Sequence, residues 1–239
     1  MEDGKVMKIN IIYEDNHILV VEKPINIPTQ GDSTYDKNLL DILKMYIKEK
    51  YNKPGNVYLG LVHRLDRPVG GVMVFARTSK AASRLSEQIR NKSFKKTYNA
   101  VVIGNIDEEG TLKDKLLKDE KNNIVSVDDR GKEAILNYKK LLYKDNMSLV
   151  EINLETGRPH QIRVQLSHYG YPLYGDNKYN KNAKPKEQIA LFAKKIEFVH
   201  PTTKEFMKFE IDLPNRFPFN LFKWYGKIFV GRVLWIQEK

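Results

Sequence analysis

The chain has 239 residues and 41% hydrophobic content, with 41 Lys+Arg against 30 Asp+Glu for a formal net charge of +11. This is the composition of a globular protein that can bury a core in one large domain or two small ones, and the basic excess makes a polyanion such as nucleic acid the first partner to consider. Charge alone weighs equally for simple solubility, while the absence of cysteine excludes a disulfide framework, a thiolate metal site and a thiol nucleophile.

Met1 to Asn10 is polar and mixed in charge, with no apolar signal core, and no segment approaches the roughly 18 apolar residues of a membrane span. A soluble cytoplasmic protein, with no membrane partner, is the expectation. Residues 10 to 13 and 17 to 23 read as short strands around the turn Glu14-Asp15-Asn16, ending at Pro24. Residues 25 to 37 form a loop, and 38 to 50 a helix with Leu39, Leu40, Leu43, Tyr46 and Ile47 at helical spacing. A strand at 57 to 62 leads to the loop His63-Arg64-Leu65-Asp66-Arg67-Pro68-Val69-Gly70-Gly71, and Val72 to Ala76 form the next strand. Thr78 or Ser79 caps a helix with the apolar face Ala81, Ala82, Leu85 and Ile89. Further strands are expected at 98–103, 124–127, 134–142, 147–154, 189–198 and 206–211, and a short helix at 160–168. Residues 176 to 187 read as a polar loop. Without regular βαβ alternation the class is α+β. We expect one domain over residues 1–215 and a very apolar, aromatic tail over 216–239 that packs back on it.

Three runs can carry chemistry. Asp66 stands between Arg64 and Arg67, and cations within a few Å keep a carboxylate ionised as nucleophile or base. Alone, the run fits a chain-turning aspartate with surface arginines at least as well. Lys95-Lys96-Thr97-Tyr98 sets an aromatic behind basic residues, as a base-stacking platform would, although a strand-edge Tyr in the core is commoner. Thr156-Gly157-Arg158-Pro159-His160-Gln161-Ile162-Arg163 gathers two arginines, a His and a Gln at a helix start, which suits an anion. Arg163 could instead pair with a catalytic carboxylate, and a capped helix with solvated charges is the plain alternative. His63, His160 and His200 lack metal-ligand spacing, and no nucleotide-binding glycine loop is present, so neither a metal nor a nucleotide cofactor is expected.

In this order the runs resemble the RluA family of RNA pseudouridine synthases. The similarity rests on Tyr13 to Pro24, His63 to Asp66, Lys96-x-Tyr98-x-Ala100-x-Val102-x-Gly104, Thr156 to Arg163, Gly175-Asp176-x-x-Tyr179 and His200-Pro201. It implies a bent, mainly antiparallel mixed sheet with flanking helices and a central catalytic cleft, and an isomerase converting uridine to pseudouridine in structured rRNA or tRNA without a cofactor. It also implies Asp66, Tyr98 and Arg163 as catalytic residues. Arg64, His63, Arg67, Lys96, Arg158, His160 and Gln161 would serve RNA binding and base flipping. Two departures stand out. Val69-Gly70 replaces a usual Thr-Ser, and the short N-terminus leaves no room for the small RNA-binding domain many members carry. A monomer is expected. The competing readings are a non-catalytic RNA-binding protein on the same fold and, more remotely, a hydrolase using Asp66.

Overall fold

The computed structural model describes residues 9–31 and 36–222. Eleven strands form one mixed sheet, ordered β1-β2-β4-β10-β5-β9-β8-β6-β7, with β11 on β10 and β3 on β4. The strands are β1 (Asn10–Glu14), β2 (Ile18–Lys23), β3 (Gly60–Leu61), β4 (Gly70–Ala76), β5 (Lys95–Ile103), β6 (Glu109–Asp119), β7 (Ile124–Val127), β8 (Lys132–Lys144), β9 (Met147–Leu154), β10 (Leu191–Val199) and β11 (Phe206–Glu210). Three helices accompany them: α1 (Leu39–Lys50), α2 (Ser79–Arg90) and α3 (Gln161–His168). Pairing is antiparallel except where β10 runs parallel to β4. The α+β, mainly antiparallel expectation holds.

The strand period of two divides the core. On one face Leu19, Val21, Met73 and Phe75 meet Leu39, Leu43 and Ile47 of α1 and Ile162 and Leu166 of α3. On the other, Ile18, Val20, Val72 and Val74 meet Ala81 and Leu85 of α2. With both faces covered, β2 and β4 read as continuous apolar runs. Asn38 caps α1 through the Asp41 N–H, and Thr78 caps α2 through the Ala81 N–H. Each cap contributes about 1 kcal/mol.

Two expectations fail. The strand at 57–62 shrinks to Gly60–Leu61. An eleven-residue strand, β6, occupies a stretch for which no element was expected, because its charged sequence buries only Leu112 and Leu116 and shows no clear alternation. Most of the tail lies outside the described residues. Its beginning carries a short 3-10 turn, Phe219–Phe222, with both phenylalanines buried beside Val101, Leu149, Ala190 and Phe192.

Candidate active site

The site begins with a loop whose backbone is fully occupied. Between β3 and β4, each carbonyl from Leu65 to Val69 accepts a hydrogen bond. The Thr29 hydroxyl donates to Leu65 (2.8 Å), the Val69 N–H to Asp66 (3.0 Å), and the Gln188 amide to Pro68 (2.7 Å). Lys23 supplies the rest. Its ammonium, at 1% exposure, donates to Arg67 (3.1 Å), Val69 (2.7 Å) and Pro24 (3.0 Å), which engages all three of its protons. Burial pushes the Lys23 pKa down to about 7, opposed by the nearby Asp66 charge. Gly71 closes the loop at φ +130°, where a Cβ would lie 2.3 Å from the Ala193 carbonyl. Only glycine lets β10 approach there. Val69, at the first departure from the family pattern, is 2% exposed and packs in the core.

This loop holds Asp66 at the edge of a cleft of about 400 Å³, open to solvent. Arg64, Tyr98, Leu154, Arg158, His160 and Arg163 are among its lining residues. Tyr98 reaches it from β5, buried at 7% exposure, with its pKa raised by burial and then by Asp66, so it is a neutral phenol. The opposite wall is the first turn of α3.

The cation that meets Asp66 is not a sequence neighbour. Arg67 turns to Asp36 (2.6 Å), and Arg64 is exposed at the cleft. Arg163, 97 residues away, donates from Nη1 to Asp66 Oδ2 at 3.1 Å. Arg163 is also held in a fork by Asp176, Nε to Oδ2 at 2.8 Å and Nη2 to Oδ1 at 2.7 Å. Burial disfavours the Arg163 charge, but Asp176 and then Asp66 outweigh it and raise its pKa. One guanidinium therefore serves two carboxylates, and Asp176 has the better geometry.

His160 precedes α3 in the left-handed region, φ +51°, a conformation that costs a non-glycine residue free energy and recurs at functional sites. Its Nε2 lies 3.8 Å from Asp66 Oδ2, and its Nδ1 lies 2.6 Å from the Tyr179 hydroxyl. Burial, then the Arg163 and Lys178 charges, outweigh Asp66 and Asp176 and push its pKa down to about 4, so it is neutral at pH 7. The Tyr179 ring also lies under the Arg163 guanidinium, 5.1 Å from its centroid.

The other expected residues divide. Arg158 lines the cleft and donates from Nε to the Glu133 carbonyl at 2.7 Å. Gln161 lines it too, but its side-chain oxygen is taken up locally, by the Thr156 hydroxyl and the Arg158 N–H, both at 2.9 Å. Lys96 is half-buried beside Gly157, with its pKa lowered by burial. His63 is outside the cleft. Its Nε2 accepts from the Val74 N–H (3.1 Å), its ring packs on Phe94, and burial then Lys96 push its pKa down to about 3. His200, of the His-Pro motif, faces Asp15 at 2.9 Å and ties the β10–β11 turn to the β1–β2 turn. Asp176, Tyr179 and Lys23 were not singled out as site residues. The only sequence signal for them was membership of the matching runs. Among the described residues no cluster of His, Asp and Glu could hold a metal ion.

Comparison with known proteins converges on one chemistry. Residues 17–168 match the family model described as RNA pseudouridylate synthase. The chain is 35% identical over 229 residues to ribosomal large subunit pseudouridine synthase D of Pseudomonas aeruginosa, covering 88% of this chain and 70% of that one. It is 38% identical over 208 residues to ribosomal large subunit pseudouridine synthase C of Buchnera aphidicola, covering 82% and 64%. Among solved structures, the human RNA pseudouridylate synthase domain containing 4 superposes with a TM-score of 0.72 at 23% identity, covering 86% and 88%.

Proposed function

The chain belongs to the RNA pseudouridylate synthase family, and we propose that Asp66 is the carboxylate with which it isomerises uridine. The protein converts uridine to pseudouridine in RNA: the bond from uracil N1 to the ribose breaks, the base turns and rejoins through carbon 5, and carbon 5 releases its proton while N1 gains one. No atom is gained or lost, so neither a redox partner nor an energy source is required. The observation that carries the assignment is the place of Asp66. It is 29% exposed at its side chain on a loop pinned at every carbonyl, with Arg163 at 3.1 Å and Tyr98 lining the same cleft. A carboxylate so fixed can attack the ribose or take a proton from it without reorganising.

A uridine stacked in RNA is out of reach, so the nucleotide is flipped out at a cost of a few kcal/mol. Tyr98 then stacks on the uracil, Arg64 at the cleft mouth fills the vacated space, and Arg163 orients Asp66. Arg67, Lys96, Arg158, His160 and Gln161 lie on or near the RNA side. His63 supports β4 from beneath. Val69-Gly70 leaves this setting intact, because its two positions serve packing and the close approach of Lys23 and Ile25. By analogy with the named relatives the substrate is ribosomal RNA. We also read residues 1–215 as one catalytic domain acting as a cytoplasmic monomer, with residues 216–222 packed back on it and the rest of the expected tail outside the described residues. The burial of Phe219 and Phe222 supports that packing.

The test is tritium release from RNA labelled at uracil carbon 5. Asp66→Ala should lose at least roughly 10²–10⁴-fold in rate. Robust turnover by that variant would remove Asp66 from the chemistry.

A further inference from the structure

The Tyr179 hydroxyl decides which nitrogen of His160 carries the proton. Its oxygen already accepts the Val125 N–H at 2.9 Å. Its remaining contact is His160 Nδ1 at 2.6 Å. A phenol has one proton to donate. If Nδ1 were protonated, two N–H groups would converge on one oxygen, and the phenol proton would have no acceptor among the described residues. The consistent arrangement has Tyr179 donating to Nδ1, so the neutral imidazole is protonated on Nε2. That N–H faces Asp66 Oδ2 at 3.8 Å, too far for a hydrogen bond.

A donor and an acceptor held this far apart suit one group that accepts from the first and donates to the second. A hydroxyl oxygen between them can lie close to the ordinary distance of about 2.7–2.9 Å from each. In a uridine within an RNA chain the uracil oxygens and the phosphates only accept, and N3–H only donates. The 3′ and 5′ oxygens are esterified. The ribose 2′-hydroxyl alone does both, and it is the group by which a protein tells RNA from DNA.

We propose that His160 Nε2–H and Asp66 Oδ2 form a subsite for the 2′-hydroxyl of the target uridine, with Tyr179 as the positioning residue that fixes the His160 tautomer. The proposal rests on the reading that uridine in RNA enters this cleft. It makes His160 a specificity residue that contacts ribose, and it assigns Tyr179 a function through His160. The left-handed backbone at His160, the Val125 N–H and the stack of Arg163 on Tyr179 all hold the pair in place. The charged groups facing it are Asp66, Asp176, Arg163 and Lys178.

The experiment uses protein labelled with ¹⁵N-histidine and two trinucleotides, AUA and the same molecule with a central 2′-deoxyuridine. His160 is assigned from the signal missing in His160→Gln. The free protein should show His160 as the Nε2–H tautomer. AUA should shift its Nε2 signal and bind at least about fivefold tighter than the deoxy analogue. Tyr179→Phe should mix the tautomers and shrink that discrimination, while its denaturation midpoint reports whether the fold persists. An Nδ1–H tautomer in the free protein, equal responses to the two trinucleotides, or no response to either overturns the subsite. Tritium release is scored separately. Turnover without ribose discrimination overturns the subsite and leaves the isomerase reading standing. Ribose discrimination in a protein that never releases tritium does the reverse.

Discussion

Asp66 and Asp176 share one arginine and differ in almost everything else. Asp176 is 1% exposed and takes the guanidinium in a two-pronged grip, with further bonds from the Lys178 and Tyr179 N–H groups at 3.1 and 3.4 Å. Asp66 is 29% exposed at its side chain and takes a single bond from Nη1. The saturated carboxylate is structural: it neutralises a buried cation and fastens the 173–180 segment to α3. The under-coordinated one has oxygen lone pairs left to offer a substrate. Residue type and partner are the same, so burial and hydrogen-bond saturation separate the roles.

The largest expected effect breaks the structural half of that pair. Asp176→Ala strands the Arg163 charge in a buried site, and removing one partner of such a pair costs about 3–5 kcal/mol. Urea denaturation should show it as a large drop in midpoint. A loss below about 1 kcal/mol would mean that Asp176 does not compensate Arg163.

Lys23 gives a second, pH-dependent effect. Its folded pKa of about 7 lies below the ordinary lysine value of 10.5. Between those values the unfolded chain binds more protons than the folded one, so this group makes stability rise with pH across that window. Below the folded value the full desolvation cost is present. Lys23→Met should flatten the rise relative to wild type in denaturation series from neutral to alkaline pH. It should also lower turnover, since two loop carbonyls, those of Arg67 and Val69, lose their donor. An unchanged slope would show that burial does not depress the Lys23 pKa and that its carbonyl partners compensate the charge.

The smallest effect is expected at the neighbour that sequence placed closest to the chemistry. Arg67 pairs with Asp36 with both side chains nearly half exposed. Arg67→Ala should change stability by no more than about 1 kcal/mol. Its influence should appear in RNA affinity, with the slope of log K against log salt reduced by about one if it meets a phosphate. A large stability loss would contradict its placement at the surface.

The comparison also shows what the sequence could reveal. The three runs around Asp66, Tyr98 and Arg163 were readable as parts of one cleft because their order resembled a family. The helices were readable from Leu39-Leu43-Ile47 and Ala81-Leu85, whose spacing puts them on one face. The cation beside Asp66 had two readings, the neighbours Arg64 and Arg67 or the later Arg163, and the structure pairs it with Arg163. Adjacent side chains in a non-helical loop diverge, and the true partner came from a helix 97 residues on. Asp176 looked like an ordinary loop residue, since nothing local records that a distant arginine would be buried against it. Strand β6 was missed because edge-side strands need few apolar residues, and its register against β8 runs from Glu109 to Leu116 through alternating charges.

The central claim is that Asp66 is the carboxylate left free for chemistry. Its most direct test is Asp66→Asn, which keeps the shape and removes the charge, with tritium release and the denaturation midpoint measured on the same preparation. The account predicts a fold as stable as wild type, within about 1 kcal/mol, and no tritium release above background. A variant that folds normally and still releases tritium at near the wild-type rate would contradict it.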